Sequence, residues 1–325
     1  MLDLRRNGQE ESGARLGRPN LEEFADTLLD LAARDRNILV MTSDSRGSAK
    51  LVRFGELLPD QLVEMGIAEQ NMVGVAAGLT AAGKKVFVVS PACFLTARAL
   101  EQIKNDVAYS DRPVKLIGIS AGVSYGELGS THHSLHDFAA LRTIFNLDIV
   151  APADNFETRE AIRAALAHPR PIYIRFGKRP LAHIHAPETQ FAIGKAITLQ
   201  KGSDVTFVAT GETVYLAILA ARQLETEGYS CGVISMHTVK PLDESTLLAA
   251  ARHTRALITV EEHSVYGGLG EACAAALMQA RINLPFKIIG IPDEYTVTGD
   301  QLEIFAYYGI SADGLATTAR NLLST

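Results

Sequence analysis

The chain has 325 residues, and 31 lysine and arginine residues against 37 aspartate and glutamate residues give a formal charge of −6. This acidic balance argues against nucleic acid as a partner, and the length predicts two domains. Three cysteines without a CxxC spacing exclude a disulfide framework or a zinc knuckle and favour a reducing cytoplasm. Because no stretch approaches the roughly 18 apolar residues of a membrane span, we expect neither a membrane-spanning segment nor an export signal.

Short β-rich runs and helical patterns alternate along the first half of the chain. Residues 1–17 mix charges and glycines without an apolar core and are predicted to form a flexible tail. Apolar runs predict buried parallel strands at residues 38–43, 85–90, 114–120, 148–153 and 172–176. Apolar residues at helical spacing predict helices at residues 21–34, 68–82, 95–109 and 157–167. Such alternation is typical of an α/β domain, which we assign to residues 18–180.

A second alternating series follows a segment with few large apolar side chains, residues 181–191, which we interpret as a linker. Strands are predicted at residues 204–210, 232–236, 256–262 and 286–292. Helices are predicted at residues 212–227 and 243–252 and from residue 270 onwards. The predicted fold is therefore α/β with two three-layer domains, of which the second, residues 192–325, is the smaller.

A glycine-rich turn stands between a predicted strand and a predicted helix of the second domain. It contains Gly267, Gly268 and Gly270, but the letters GGLG lack the GxGxxG spacing, and the chain has no GxxxxGK[ST]. Two interpretations stay open for these glycines. They allow a tight turn with close helix–sheet packing, or they leave a helix N-terminus free to bind an anion.

Two side chains of the first domain stand where a ligand site is expected. Glu69 opens a helix whose later residues are almost all alanine, valine and glycine, so a buried carboxylate is predicted there. Such a group is suited to share a proton with a ligand nitrogen, although a first-turn glutamate also simply stabilises its helix. Phe94 comes just after a strand end, where ligands of parallel sheets bind, although a core position is the simpler interpretation.

A third stretch, Gly122–Asp137, is a glycine-rich loop that carries His132, His133 and His136. His132 and His136 lie four residues apart, which permits a shared metal ion on a helical face, but no further ligand cluster accompanies them. We therefore predict no metal site in this chain. A histidine in a polar loop is better suited to hydrogen bonding or proton exchange with a substrate near neutral pH.

Seven stretches together resemble one enzyme family. The letters GIAEQNMVGVAAGL, CFLTARALEQIKNDV, GVSYGELGSTHHSLHDFAALRTIFNLDIVAPAD and PIYIRFGK resemble the pyrimidine-binding domain of transketolases and deoxyxylulose-phosphate synthases. The letters TGETVYLAILAARQLETEGY, HTVKPLD and EEHSVYGGLGEA resemble the C-terminal domain of the same enzymes. The resemblance implies thiamine diphosphate as cofactor, with a pyrimidine-binding domain followed by a smaller transketolase C-terminal domain.

The resemblance assigns the cofactor contacts residue by residue. Glu69 matches the glutamate that hydrogen-bonds the aminopyrimidine ring, and Phe94 matches the aromatic residue that stacks on this ring. Asp44 matches an aspartate near the cofactor and the subunit contact. His132 matches a histidine that contacts the substrate hydroxyl or phosphate. The resemblance thus implies Glu69 and His132 as catalytic residues.

The substrate positions match less well. Arg18, Ser48 and Lys178 match residues that receive a substrate phosphate, but Lys178 stands where an arginine is usual, so that a point charge replaces a bidentate fork. Ser120 stands where transketolases have a histidine and the synthases an aspartate. Leu128 replaces an aspartate that recognises a sugar hydroxyl. Since leucine cannot pair with a hydroxyl, the sugar preference is expected to differ.

One part of the family pattern is missing from the chain. Family members hold the diphosphate through Mg²⁺ on a GDG motif followed by an asparagine, and this chain has no GDG; its nearest match, Asp313–Gly314 with Asn321, lies in a predicted C-terminal helix. The resemblance therefore implies a split transketolase, in which a separate N-terminal chain supplies the diphosphate and Mg²⁺ site. We expect a dimer of this chain within a heterotetramer, acting on a sugar phosphate.

Two other functions remain open at this point, and a third, deoxyxylulose-phosphate synthesis, is disfavoured because those enzymes normally keep all their domains in one chain. The β subunit of a 2-oxoacid dehydrogenase decarboxylase has similar length and the same two domains, but the letters STHHSLHDFAALR look like the transketolase loop. A non-catalytic relative that only binds a partner is the second alternative. The presence of Glu69, Phe94 and His132 argues against it, whereas Leu128 leaves room for it.

Overall fold

The computed structural model describes residues 15–324. In the first half, the strands are β1 Leu16–Pro19, β2 Ile38–Thr42, β3 Leu62–Glu64, β4 Lys85–Pro91, β5 Lys115–Ile119, β6 Asp148–Val150, β7 Ile172–Phe176 and β8 Pro180–Ala182. The helices are α1 Asn20–Ala32, α2 Val52–Leu57, α3 Glu69–Ala81, α4 Ala92–Arg98, α5 Leu100–Gln102, α6 Asp137–Arg142 and α7 Asn155–Ala167. Single 3₁₀ turns form at Pro59–Gln61 and Gly126–Leu128.

In the second half, the strands are β9 Ile197–Gln200, β10 Val205–Ala209, β11 Cys231–Ser235, β12 Thr238–Lys240, β13 Ala256–Ser264 and β14 Phe286–Ile291. The helices are α8 Thr213–Thr226, α9 Glu244–Ala251, α10 Leu269–Gln279, α11 Gln301–Tyr307 and α12 Ala312–Leu323. Side-chain caps fix several helix starts, because Asp243, Asp300 and Ser311 each accept a hydrogen bond from a first-turn backbone N–H.

The first domain is a seven-stranded sheet in the order β12-β6-β7-β5-β4-β2-β3. All neighbours run parallel except β12, which is antiparallel to β6. Helices α1 and α7 bury apolar side chains against one face, and α3 and α6 cover the other face. Both faces of a parallel sheet must be covered in this way, since its strands are apolar on both sides. The predicted three-layer α/β fold is confirmed for this domain.

The second domain has a five-stranded sheet in the order β14-β13-β10-β11-β9, parallel except for β9. Helices α8 and α12 cover one face, and α9 and α10 cover the other. The second three-layer domain is therefore also present. The helix α12 contains Asp313, Gly314 and Asn321, as the sequence predicted.

The domain edges differ from the sequence prediction at three places. Leu16 and Gly17, predicted as tail, lie in β1, which pairs antiparallel with β8, so that the predicted linker also begins in a strand. The rest of the predicted tail that precedes residue 15 lies outside the described residues. Strand β12, from the predicted second domain, extends the first sheet through β6. In each case an edge strand satisfies backbone groups that would otherwise be unpaired.

The helix predicted at residues 95–109 is broken in the structure. Helix α4 ends at Arg98, Ala99 leaves helical geometry, and after α5 the chain forms a π-helical segment, Ile103–Tyr109. The Thr96 hydroxyl donates back to the Ala92 carbonyl at 2.7 Å, a bond that commonly bends a helix. The break makes Arg98 the last residue of a short helix, beside the candidate site described below.

A buried network of charges joins the two domains. Arg175 of β7 donates to both carboxylate oxygens of Asp137 at 2.8 and 3.1 Å and to the backbone carbonyl of Glu262 at 2.6 Å. The Glu262 carboxylate accepts hydrogen bonds from the Val123 N–H and from Gln301, each at 2.8 Å, and Gln301 also donates to Glu212 at 3.0 Å. Burial and the neighbouring Glu212 raise the pKa of Glu262 above its ordinary value.

This raised pKa predicts a pH-dependent stability. Because folded Glu262 binds its proton more tightly than in the unfolded chain, its contribution is full below pH 4.5 and is lost as the pH rises above that value. In Glu262→Gln, one amide oxygen keeps both hydrogen bonds without a charge. We expect the free energy of unfolding, measured in urea from pH 5 to 9, to fall less steeply with pH in this variant. The exposed control Glu56→Gln should follow the wild type, and an unchanged slope in Glu262→Gln would contradict the assignment.

Candidate functional site

The predicted site residues follow the carboxyl ends of neighbouring parallel strands. Asp44 and Ser48 follow β2, Glu69 follows β3, and Phe94 follows β4. Ser120 comes directly after β5, and Lys178 comes shortly after β7. These five strands are adjacent in the order β7-β5-β4-β2-β3, so the loops meet at one edge of the sheet. Ligands of open parallel sheets bind at this edge.

Glu69 is the first residue of α3, and it is only 1% exposed. Its Oε1 atom lies 3.4 Å from the Ser90 hydroxyl, and its Oε2 atom accepts a hydrogen bond from Arg98 Nη1. The small buried side chains of Ala76 and Ala77 pack in the same cluster as Val86 and Val88 of β4, so that α3 lies against this strand. The predicted buried carboxylate is therefore present, and it lies in the first turn, where the helix dipole favours a negative charge.

The Phe94 ring is half-buried and is linked to this carboxylate through Arg98. The guanidinium carbon of Arg98 is 5.1 Å from the ring centroid, and the His132 ring meets Phe94 edge-on with 5.4 Å between centroids. Phe94 is absent from the four apolar clusters that the described residues form. The alternative interpretation of Phe94 as a core residue is therefore wrong.

The three histidines of the loop have separate partners. His132 Nδ1 lies 2.9 Å from the Thr131 hydroxyl, and His136 Nε2 lies 3.2 Å from the Thr96 hydroxyl. His133 is buried and reaches across to Thr296 of the second domain at 2.6 Å. Among residues 15–324, no group of three histidine, cysteine, aspartate or glutamate side chains is arranged to hold a metal ion. Of the three, His132 alone contacts the Phe94 ring.

A cation and an aromatic ring lie on the other side of His132. The Lys178 ammonium is 3.9 Å from the centroid of the Tyr125 ring, and this ring meets His132 edge-on at 5.5 Å. Partial burial and the Lys50 ammonium lower the pKa of Lys178. Ser120 has a positive φ of 53°, and its buried hydroxyl faces the Tyr125 hydroxyl.

The remaining predicted site residues differ in whether their side chains are free to contact a ligand. Asp44, at a positive φ of 53°, and Ser48 are exposed in the loop after β2. The backbone N–H of Asp44 donates to Glu64 Oε1 at 2.7 Å, which fixes this loop. Arg18, by contrast, donates twice to Glu23 and once to Asp26 at 2.5–2.8 Å. A substrate phosphate would have to compete with these two carboxylates for Arg18.

Leu128, the residue that replaces the family aspartate, is 53% exposed in the turn Gly126–Leu128. Nothing on its side chain can pair with a hydroxyl, as predicted from the sequence. The exposed Leu128 side chain is therefore an apolar surface on the loop that also carries Tyr125 and His132. The two side chains that the sequence pattern missed at this edge are Tyr125 and Arg98.

The glycine turn of the second domain already holds an anion from its own chain. The backbone N–H groups of Leu269 and Gly270 donate to the Glu261 carboxylate at 2.7 and 2.8 Å, and a Cβ at Gly268 would collide with it. Burial raises the pKa of Glu261 to about 7. Arg142 of α6 donates to the carbonyls of this turn, which ties it to the first domain. Close packing thus explains these glycines.

Comparison with known proteins accounts for both domains. The family model "Transketolase, pyrimidine binding domain" matches residues 21–183, and "Transketolase, C-terminal domain" matches residues 194–315. The chain belongs to the transketolase family. Its resemblance to this family, predicted from the sequence, and its fold are confirmed.

Two transketolase relatives that align over nearly their full length are named as subunits. The chain is 47% identical over 92% of its length to an apulose-4-phosphate transketolase subunit of Phocaeicola vulgatus, and it covers 95% of that relative. It is 35% identical over 93% of its length to "6-deoxy-6-sulfo-D-fructose transketolase subunit SqwH" of a Clostridium species, and it covers 93% of that relative. The prediction of a split-transketolase subunit, a transferase, is confirmed by these matches.

A solved transketolase structure supports the same conclusion. The chain superimposes with a TM-score of 0.85 on a "Split gene transketolase, inactive beta4 tetramer", with 34% identity, covering 95% of this chain and 99% of the other. Within the described part of the chain, no helix has the length and apolar character needed to cross a membrane.

Proposed function

We propose that this chain is the pyrimidine-binding and C-terminal subunit of a two-chain transketolase that transfers a ketol unit from a phosphorylated ketose to an aldose. One observation carries the proposal: Arg98 contacts both the buried Glu69 carboxylate and the half-buried Phe94 ring, at the edge of the sheet where parallel-sheet ligands bind. Thiamine diphosphate supplies the carbanion chemistry of the family, and the protein binds and orients it.

The residues present fit the ring end of this cofactor. A carboxylate that is 1% exposed can share a proton with a ring nitrogen, and the Phe94 face can stack on a flat heterocycle. Asp44, exposed after β2, is proposed to lie near the cofactor at the subunit contact. The described residues hold no metal-binding cluster for the other end. We assign the diphosphate and Mg²⁺ to the partner chain.

The substrate site is proposed to extend from Phe94 towards the loop after β7. His132 contacts both the Phe94 and Tyr125 rings and is positioned to hydrogen-bond a substrate hydroxyl. The Ser120 hydroxyl, beside Tyr125, is a second polar contact, and Lys178 and Ser48 supply the phosphate contacts. Arg18 joins them only if a phosphate displaces Asp26. The relatives named for apulose 4-phosphate and sulfofructose support a ketose other than a simple pentose phosphate.

The assembly is proposed as a heterotetramer, with a dimer of this chain and two N-terminal chains. The solved relative described as an inactive beta4 tetramer supports self-association of the isolated chain without activity. The three cysteines are buried and unpaired, which suits a reducing compartment, and we propose the cytoplasm.

Reconstitution with a partner tests the function. We expect the purified chain, with thiamine diphosphate and Mg²⁺, to show no ketol transfer, and activity to appear when an N-terminal chain carrying GDG and a downstream asparagine is added. The measurement is release, from each ketose donor of a panel, of the carbonyl product that is two carbons shorter than the donor. Activity of the chain alone would contradict the split enzyme. Carbon dioxide release from pyruvate by the assembled pair would favour the 2-oxoacid decarboxylase, and failure of every donor would favour a non-catalytic relative.

Lys178 provides a prediction about phosphate recognition. Lys178→Met is expected to lower kcat/KM for a phosphorylated acceptor by about 10- to 100-fold, the usual cost of one lost hydrogen bond to a charged group, while an unphosphorylated acceptor is affected little. Lys178→Arg should restore most of the loss because it keeps the charge. The control is Lys201→Met, an exposed lysine of the second domain. Equal losses with both acceptors would show that Lys178 does not bind the phosphate.

A further inference from the structure

Arg98 lies between the two side chains assigned to the cofactor ring. Its Nη1 atom donates to Glu69 Oε2, and its guanidinium carbon is 5.1 Å from the centroid of the Phe94 ring. Arg98 and Phe94 are four residues apart in α4, so they project from the same face of this helix. One side chain thus contacts both the carboxylate and the aromatic face.

The two partners of this ion pair differ in their freedom to move. Glu69 is 1% exposed at the start of α3, and its second oxygen faces the Ser90 hydroxyl at 3.4 Å. The Arg98 side chain is 41% exposed and comes from the last residue of α4. The carboxylate is therefore held in place, whereas the guanidinium can rotate into solvent at small cost.

We propose that Arg98 is a placeholder for the cofactor's aminopyrimidine ring, neutralising Glu69 and covering Phe94 until the cofactor displaces it. This inference rests on the proposed function. A guanidinium is planar, donates hydrogen bonds to carboxylates and stacks on aromatic faces. These are the two contacts that a flat, nitrogen-containing ring would make with Glu69 and Phe94, so the same pocket suits both groups.

Displacement also follows from the hydrogen bonds of Glu69. Its Oε2 atom already accepts from Arg98 Nη1, and its Oε1 atom faces the Ser90 hydroxyl at 3.4 Å. A ring nitrogen that hydrogen-bonds this carboxylate therefore has to take the place of Arg98. The free enzyme loses an ion pair on cofactor binding, and the measured affinity is weaker than the site alone would give.

The sign of one mutational effect tests this. In enzyme assembled with its partner chain, we expect Arg98→Met to bind thiamine diphosphate about tenfold more tightly than the wild type, measured by titration calorimetry at saturating Mg²⁺. Arg163→Met is the matched control, because Arg163 is 50% exposed, also pairs with one glutamate and carries the same charge. Loss of a general attraction for the anionic cofactor would weaken binding in both variants. Unchanged or weaker binding by Arg98→Met overturns the placeholder.

Two further variants keep the test independent of folding defects. Arg98→Lys retains a charge but loses the planar fork of the guanidinium. We expect its affinity for thiamine diphosphate to lie between those of the wild type and Arg98→Met. In a Glu69→Gln background, Arg98→Met should tighten binding much less, because the ion pair is already lost and only the contact with Phe94 remains; a full tightening there overturns the proposal. Wild-type assembly that binds no thiamine diphosphate would overturn the proposed function as well, whereas normal wild-type binding with no tightening removes only the placeholder.

Discussion

Glu69→Gln is expected to lower kcat of the assembled enzyme by about 10²- to 10⁴-fold, the usual contribution of one positioned acid–base group. Glutamine has the shape of glutamate and keeps a hydrogen-bonding oxygen for Ser90, but it cannot take or release a proton. Glu69 is buried at the start of α3, and among the described residues it is the carboxylate that pairs with Ser90 and Arg98. The defect is therefore expected in turnover.

The measurement is steady-state ketol transfer by the pair, with assembly checked by size-exclusion chromatography. Assembly and the fold should be retained, because glutamine conserves volume at the site. The control Glu101→Gln changes an exposed glutamate in the same domain and should leave kcat unchanged. Near-normal turnover in Glu69→Gln would move the proton-sharing role to another residue. Loss of assembly would instead indicate a structural role for Glu69.

The sequence predicts the framework of the site because parallel strands leave a strong apolar pattern. The runs that became β2, β4, β5 and β7 are continuous apolar segments, and their order along the chain places the following loops at one edge. The positions of Glu69, Phe94 and Lys178 could thus be predicted together. The family resemblance, rather than periodicity, assigned their chemistry.

Contacts between distant segments could not be predicted in this way. Apolar periodicity gave one helix through residues 95–109, and the break after Arg98 depends on local backbone geometry. The position of the Arg98 guanidinium depends on side-chain rotation, which has no signature in the sequence. Strand β12 likewise joins the first sheet because the edge of β6 is open, although its residues lie in the predicted second domain.

The glycine turn shows a similar limit. Its sequence left open whether an anion binds at the start of α10, and the group that binds there is Glu261, eight residues before the first N–H donor. Glu261 and these N–H groups are close along the chain, but they meet only because β13 ends beside the start of α10. A pattern of glycines alone does not specify which anion is accepted.

Asp137→Asn is expected to lower the free energy of unfolding by about 3–5 kcal/mol, because it leaves the buried Arg175 guanidinium without its main counter-ion. Asp137 and Arg175 are both buried, and Tyr173 also donates to this carboxylate at 2.8 Å. Burial acts to raise the pKa of Asp137, but the Arg175 guanidinium holds this pKa below its usual range. The pair is therefore charged at neutral pH. Asparagine cannot neutralise the arginine.

Urea unfolding of the isolated chain measures this effect, and Asp30→Asn is its control. Asp30 pairs with Arg34 on the exposed side of α1, where both side chains are more than half in water, and its loss should cost about 0.5 kcal/mol or less. Each variant removes one carboxylate charge paired with one arginine, so the difference between them reports burial together with the additional hydrogen bond from Tyr173. A loss in Asp137→Asn no larger than that in Asp30→Asn would mean that the second carboxylate near Arg175, Glu262 at 3.8 Å, takes over as its counter-ion. The double variant Asp137→Asn with Glu262→Gln would then show a loss larger than the sum of the two single changes.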